Sequence, residues 1–200
     1  MLLSYFLTWS RLRSNNAFKL EILPNFITLT LPRSRNHLLN NLVKKPNSPS
    51  PQKTKQTFME LALRKAKIAF KKDEVPVGAV IVENGKIIAS AHNCNLTKKD
   101  PTAHAEILTL RKAAKIKGSS RLDGCDLYVT LEPCAMCAAA IALARIRRVY
   151  YAASDIKFGA VENGARIFSS SSCFHQPEIY SGILEEESKK LLQDFFKSKR

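Results

Sequence analysis

His104-Ala105-Glu106 and, further along, Pro133-Cys134-Ala135-Met136-Cys137 offer one imidazole, two thiols and one carboxylate to a single metal centre. A structural zinc site closes its tetrahedron with four protein ligands, whereas three nitrogen and sulfur ligands leave the fourth position open to water. His104, Cys134 and Cys137 make up such an open set, and Glu106 remains as a carboxylate for proton transfer. Zinc in an open site lowers the pKa of water towards ~7 and so provides a nucleophile at neutral pH. Alone, the Cys-x-x-Cys pair reads equally as a redox pair or half of a structural zinc site, and the His-x-Glu tripeptide as an ordinary surface pair. Their joint occurrence, with proline ahead of the first cysteine, favours catalytic zinc.

These side chains need elements to hold them. Pro133 suits the first turn of a helix, having no N–H to leave unpaired, and residues 135–145 are nearly all helix formers. Such a helix sets Cys134 and Cys137 on one face at its positive end, which favours thiolate. Asp100-Pro101 gives a similar start signal for a helix that carries His104 and Glu106 in its opening turn and ends at Gly118. Two residues apart on a helix is a rotation of roughly 200°. His104 and Glu106 therefore flank one cleft as ligand and non-ligand instead of chelating together.

Around this pair, Thr57-Phe58-Met59-Glu60 has the capping-box pattern and predicts a first helix reaching residue 72 or so. Residues 75–82 and 86–92 read as two antiparallel strands joined at Asn84-Gly85, with a polar loop at 93–99. Strands follow at 127–131 and 147–152, then an irregular 155–172 stretch and a terminal helix over 183–196. Strands alternating with helices imply an α/β domain whose central sheet is covered on both faces. No internal repeat is present.

The 32 Lys and Arg against 17 Asp and Glu leave a net charge of +15, which makes polyanions natural partners. A lysine-rich, merely solvated surface would give the same number. Residues 1–52 differ from the rest: they hold seven Lys/Arg against Glu21 alone and close on the Pro/Ser-rich 44–51 stretch, which reads as a linker. The chain thus divides into a poorly ordered extension, 1–52, and a domain, 53–200. Leu2 to Trp9 is too short to span a membrane and has its positive charges after it, which argues against a secretory signal. An acid-poor leader fits an organelle transit peptide, and a dispensable upstream extension fits equally well; the protein is read as cytoplasmic, or organellar if the leader is a transit peptide. Five cysteines, at 94, 125, 134, 137 and 173, point to a reducing compartment, with Cys94, Cys125 and Cys173 as small apolar fillers.

His-x-Glu with Pro-Cys-x-x-Cys is the recognised signature of zinc nucleobase deaminases. Over about residues 54–198 the chain resembles, more narrowly, the bacterial-type tRNA-specific adenosine deaminases of the cytidine deaminase-like superfamily. The likeness rests on Glu74-Val75-Pro76-Val77-Gly78-Ala79-Val80, Asn93, Asp100-Pro101-Thr102-Ala103-His104-Ala105-Glu106, Leu127 through Cys134, and Asp155-Ile156-Lys157-Phe158-Gly159-Ala160. It implies a three-layer α/β/α domain with a mixed five-stranded central sheet, and a homodimer with one Zn2+ per subunit. The implied reaction is hydrolysis of adenosine to inosine at the wobble position of a tRNA, an arginine tRNA in the first instance, in the anticodon loop. Zinc-activated water would attack C6 while Glu106 shuttles protons; backbone N–H groups at Ala105 and around Cys134 would help orient the attacking oxygen.

The resemblance also implies substrate contacts. Asn93 would read the base or ribose, although a turn asparagine fits the same position. Val75 and Leu131 would wall the base, where strand-core packing explains them too. Asp155 would accept a ribose hydroxyl or cap a strand end, and Phe196 would hold the anticodon loop beside Phe195. Lys197, Lys199 and Arg200 would meet phosphates. His92 departs from the bulky aromatic common before Asn93, and 169–172 departs from a more structured loop. A deaminase of a free nucleobase or nucleotide, or a non-catalytic zinc-containing RNA-binding subunit, are the rival readings.

Overall fold

The computed structural model describes residues 51–199, together with Ser10–Arg11 (β1) and Phe18–Lys19 (β2), which pair antiparallel. Those two strands belong to a unit separate from Pro49–Arg200. The expected leader run 2–9, the linker up to residue 50, and Arg200 lie outside the described residues, while Pro51, read as the last linker residue, opens a helix.

In the larger unit the order is α1 (Pro51–Lys71), β3 (Gly78–Glu83), β4 (Lys86–His92), α2 (Asn95–Lys98), α3 (Ala105–Lys117), β5 (Cys125–Leu131), α4 (Ala135–Leu143), β6 (Arg148–Ala153), β7 (Glu178–Ser181) and α5 (Glu185–Lys197). The five strands form one mixed sheet, β4-β3-β5-β6-β7. β3 runs antiparallel to β4 and β5, whereas β5, β6 and β7 are parallel. Side chains alternate across it, so β3, β5 and β6 each feed two cores. Ala79, Ile81, Leu127, Val129 and Tyr151 share one core with Leu110 of α3 and Ile141 of α4. Val80, Val82, Tyr128 and Tyr150 share the other with Phe58, Met59 and Ala62 of α1. Two helical layers around a mixed five-stranded sheet are the architecture expected.

Several element ends differ from the sequence reading. The first helix begins at Pro51 and not beside Thr57, so the capping-box residues lie inside it. β3 starts at Gly78, because 75–77 form a tight turn in which the Val77 N–H donates to the Val75 carbonyl. α3 starts at Ala105, not at Pro101: Asp100 spends its carboxylate on the N–H and hydroxyl of Thr102, and His104 becomes the extended N-cap. α4 likewise starts at Ala135 with Cys134 as N-cap, leaving Pro133 outside the helix. α2 replaces part of the polar loop, α5 starts at Glu185, and β7 is an element the pattern gave no sign of. Four residues with a mostly exposed profile carry no period-2 signal.

The first residue of β3 meets α1 at backbone distance. A Cβ on Gly78 would lie 2.1 Å from the Ala62 carbonyl oxygen and 2.5 Å from the Ala66 nitrogen. Neither atom can rotate away. Gly78→Ala is expected to cost about 3 kcal/mol and lower Tm by roughly 6–12 °C. Unchanged thermal unfolding of the variant would refute the contact.

Candidate active site

Two helix N-termini converge at one end of the sheet. His104 is the residue before α3 and Cys134 the residue before α4, so each ligand sits where its helix presents unsatisfied N–H groups. Cys137, one turn into α4, is fully buried. The His104 Nδ1 lies 3.7 Å from the Cys134 Sγ and 3.5 Å from the Cys137 Sγ. All three ligand atoms fall within 4.8 Å of one another. A tetrahedral zinc, with Zn–S of about 2.3 Å and Zn–N of about 2.0 Å, separates nitrogen from sulfur by roughly 3.5 Å. The donor set therefore fits zinc, and among the described residues it numbers three, leaving one coordination position for water.

Glu106, in the first turn of α3, stands beside this group without joining it. It is only 4% exposed. Burial pushes its carboxyl up to about 7, against the pull of its own backbone N–H and of the His104 charge. A carboxyl in that range can both take and give a proton at neutral pH. Hydrogen bonding from the Cys137 thiol, with His104 adding to it, holds the Cys134 thiol down to about 4 against the cost of burial. The Cys137 thiol is pushed up by that same bond and by burial, and the Cys134 contact raises His104. The group thus carries thiolate character, the form that binds metal.

A cavity of about 1030 Å³ opens above these residues. Val75, Asn93, Leu131, Asp155 and Phe196 all line it, along with His104, Glu106 and Cys134, whereas Lys197, expected at phosphates, does not. The Asn93 side chain is occupied in part: its Oδ1 accepts the Ala105 N–H at 2.7 Å and caps α3 from across the chain. That N–H is consequently not free to orient an attacking oxygen, in contrast to the expectation. The Asn93 amide still carries donors on its other end. Asp155 accepts the N–H groups of Lys157 and Phe158, both at 3.0 Å, and so shapes its own turn. Phe195 is buried against Phe70 of α1, whereas Phe196 is half exposed. Lys157 and Lys199 reach the rim, and Lys199 pairs with Asp73.

Two buried carboxylates, to which the sequence assigns no role, also stand on the cavity wall. Glu74 is 1% exposed and accepts the N–H groups of Leu96 at 3.1 Å and Thr97 at 2.7 Å. Burial opposes its charge, but these bonds outweigh it and keep the pKa below the ordinary value. Glu132 is the second. Its partners lie so far along the chain that no local pattern announces them. The available signal was an acid inside an otherwise apolar strand end, a residue type almost never buried unless paired.

Residues 52–153 match the family described as the cytidine and deoxycytidylate deaminase zinc-binding region. A tRNA-specific adenosine deaminase from Agrobacterium fabrum is 56% identical over 143 residues, which are 72% of this chain and 94% of that protein. Its counterpart from Bacillus subtilis is 45% identical over 145 residues, 72% of this chain and 90% of the relative. A solved structure from biochemical and structural studies of A-to-I editing by tRNA:A34 deaminases at the wobble position is 56% identical, with a TM-score of 0.67, and covers 68% of this chain and 99% of that one. A guanine deaminase from Nitrosomonas europaea, 22% identical with a TM-score of 0.62, covers 88% of this chain and 98% of that one and shares the fold.

Proposed function

The chain belongs to the tRNA-specific adenosine deaminase family, a group of zinc-dependent enzymes, and on that premise we propose that it converts the wobble adenosine of an arginine tRNA to inosine. The anticodon loop is single-stranded, and RNA bases are read most readily where they can be splayed into a pocket. What carries this reading is the cavity itself. At about 1030 Å³ it stands at the top of the ~300–1,000 Å³ range of small-molecule sites, so a free base would leave most of it unfilled. Lys157 and Lys199 on its rim suit phosphates.

Zinc held by His104, Cys134 and Cys137 supplies Lewis-acid activation of water at neutral pH. Glu106 takes a proton from the attacking water and delivers it to N1 as the oxygen bonds to C6. It then passes the hydroxyl proton to the exocyclic nitrogen. The C6–N bond breaks, ammonia leaves, and C6=O with N1–H is inosine. Burial keeps bulk water from competing for the Glu106 proton. Asn93 donates to the bound nucleoside, Asp155 accepts from its ribose, Val75 and Leu131 wall the base, and Phe196 stacks at the mouth. The enzyme works as a homodimer. It acts in the cytoplasm, where thiolate ligands stay reduced; no helix of the described residues is long and apolar enough to cross a membrane.

Assaying inosine formation on an arginine anticodon stem-loop beside free adenine, cytosine and guanine tests the substrate. Turnover of the stem-loop alone is the expected result. Turnover of a free base with an inert stem-loop would replace this reading by the small-molecule one.

A further inference from the structure

The stretch that leaves β6 carries Asp155, Lys157 and Phe158 onto the cavity rim from outside any named strand. Glu132 gathers it. This residue sits just past β5, where its own N–H donates to the Ala153 carbonyl at 2.8 Å and continues the β5–β6 ladder by one step. Its backbone is thus fixed by the sheet while its side chain, 3% exposed, turns into the loop. Oε1 accepts the backbone N–H groups of Val161 at 3.1 Å and of Glu162 and Asn163 at 2.9 Å each. Oε2 accepts the Asp155 N–H at 3.0 Å and the Asn163 side-chain amide at 2.6 Å. Five donors therefore close on one carboxylate from both ends of the loop. The middle closes too: a Cβ on Gly159 would lie 2.5 Å from the Glu132 Cδ and 2.4 Å from the Asp155 carbonyl oxygen.

We propose that Glu132 is a positioning residue that folds the 155–163 loop into the rim of the substrate cavity, so that it governs how RNA is held and leaves metal binding and the chemical step alone. The inference rests on the function proposed above. The carboxylate is the acceptor that the two ends of the loop share. An isosteric Gln keeps one oxygen for the three N–H groups, but its NH2 would face the Asp155 and Asn163 donors, donor against donor. The near end of the loop is then released. Its far end stays tied to β6 by the Tyr151 hydroxyl on Glu162.

The test compares wild type with Glu132→Gln in three measurements on the zinc-loaded protein: zinc stoichiometry, steady-state deamination of the anticodon stem-loop, and amide hydrogen exchange. Zinc stays the same, KM rises about tenfold with kcat within a factor of about two, and the Asp155 amide exchanges at least about tenfold faster while those of residues 161–163 keep their protection. Asn163→Ala, which deletes one of the five donors, moves KM and exchange the same way by less. Loss of zinc, a fall in kcat at constant KM, or unchanged exchange each overturns the role. An inert wild type on the stem-loop would bring down the proposed substrate instead, and the exchange measurement would still judge Glu132.

Discussion

Glu106→Gln is expected to cut deamination by about 10²- to 10⁴-fold, the range that a positioned proton-transfer group contributes. Gln matches Glu in volume and can hydrogen-bond, so the first turn of α3 keeps its packing. It cannot accept the water proton. At 4% exposure no solvent molecule takes over easily, and the exocyclic nitrogen would have to leave as an unprotonated amide. Because Glu106 lies outside the three-ligand group, zinc content should not change. Initial rates of inosine formation, read beside metal analysis of the same preparation, separate the outcomes. A variant with full zinc and an unaltered rate would remove Glu106 from the proton path. A variant without zinc would make it part of the metal site.

Removing the metal is the change of next largest reach, since it acts on rate and stability together. The ligands come from the start of α3 and the start of α4, so the ion ties together two helices that otherwise meet mainly through apolar side chains. Chelation is expected to abolish turnover. Metal present at about 100 to 1,000 times its Kd stabilises the folded state by about 2.7–4.1 kcal/mol, and that is lost with it. Zinc returned at one equivalent should restore both. Cys137→Ser should reproduce the loss without a chelator, and it should not recover at stoichiometric zinc. Thermal unfolding that ignores chelator, with activity intact, would contradict a zinc enzyme. Without its metal the Cys134 thiol also sits far below its usual pKa, so alkylation of that residue should follow chelation closely.

The grouping of His104, Cys134 and Cys137 was legible because each half of it is written at short range. His-x-Glu and Cys-x-x-Cys each carry a fixed local spacing, and their joint occurrence names the donor set that the sheet then brings together. The strands 127–131 and 147–152 were readable for the same local reason, being apolar and β-branched or aromatic runs of ordinary length. Helix starts were not. Asp100-Pro101 looks like a cap followed by a first turn, yet the residue that caps α3 is Asn93, whose oxygen reaches Ala105 from the far side of α2. No window of sequence contains both partners. Pro133 misled in the same direction, because the N-cap geometry fell on Cys134, which the metal site needs in extended backbone. Glu132 shows the limit most plainly. Its neighbours in sequence are a strand and a proline, and its neighbours in space are residues 155–163, brought there by the parallel pairing of Leu131 with Ala153.

That parallel pairing has an evolutionary side. β5 and β6 lie next to each other, point the same way and are joined through α4, so the connection between them is a crossover whose hand the sheet dictates. The thiolate helix is this crossover. A descendant could not discard it without breaking the sheet's connectivity, so the frame on which Cys134 and Cys137 stand is kept with the topology. Asn93, Asp155, Phe158 and Phe196 ride on loops and a terminal helix, where substitutions leave the strand order untouched. Mutation can therefore reshape the lining of the cavity while the frame under the two thiols stays in place.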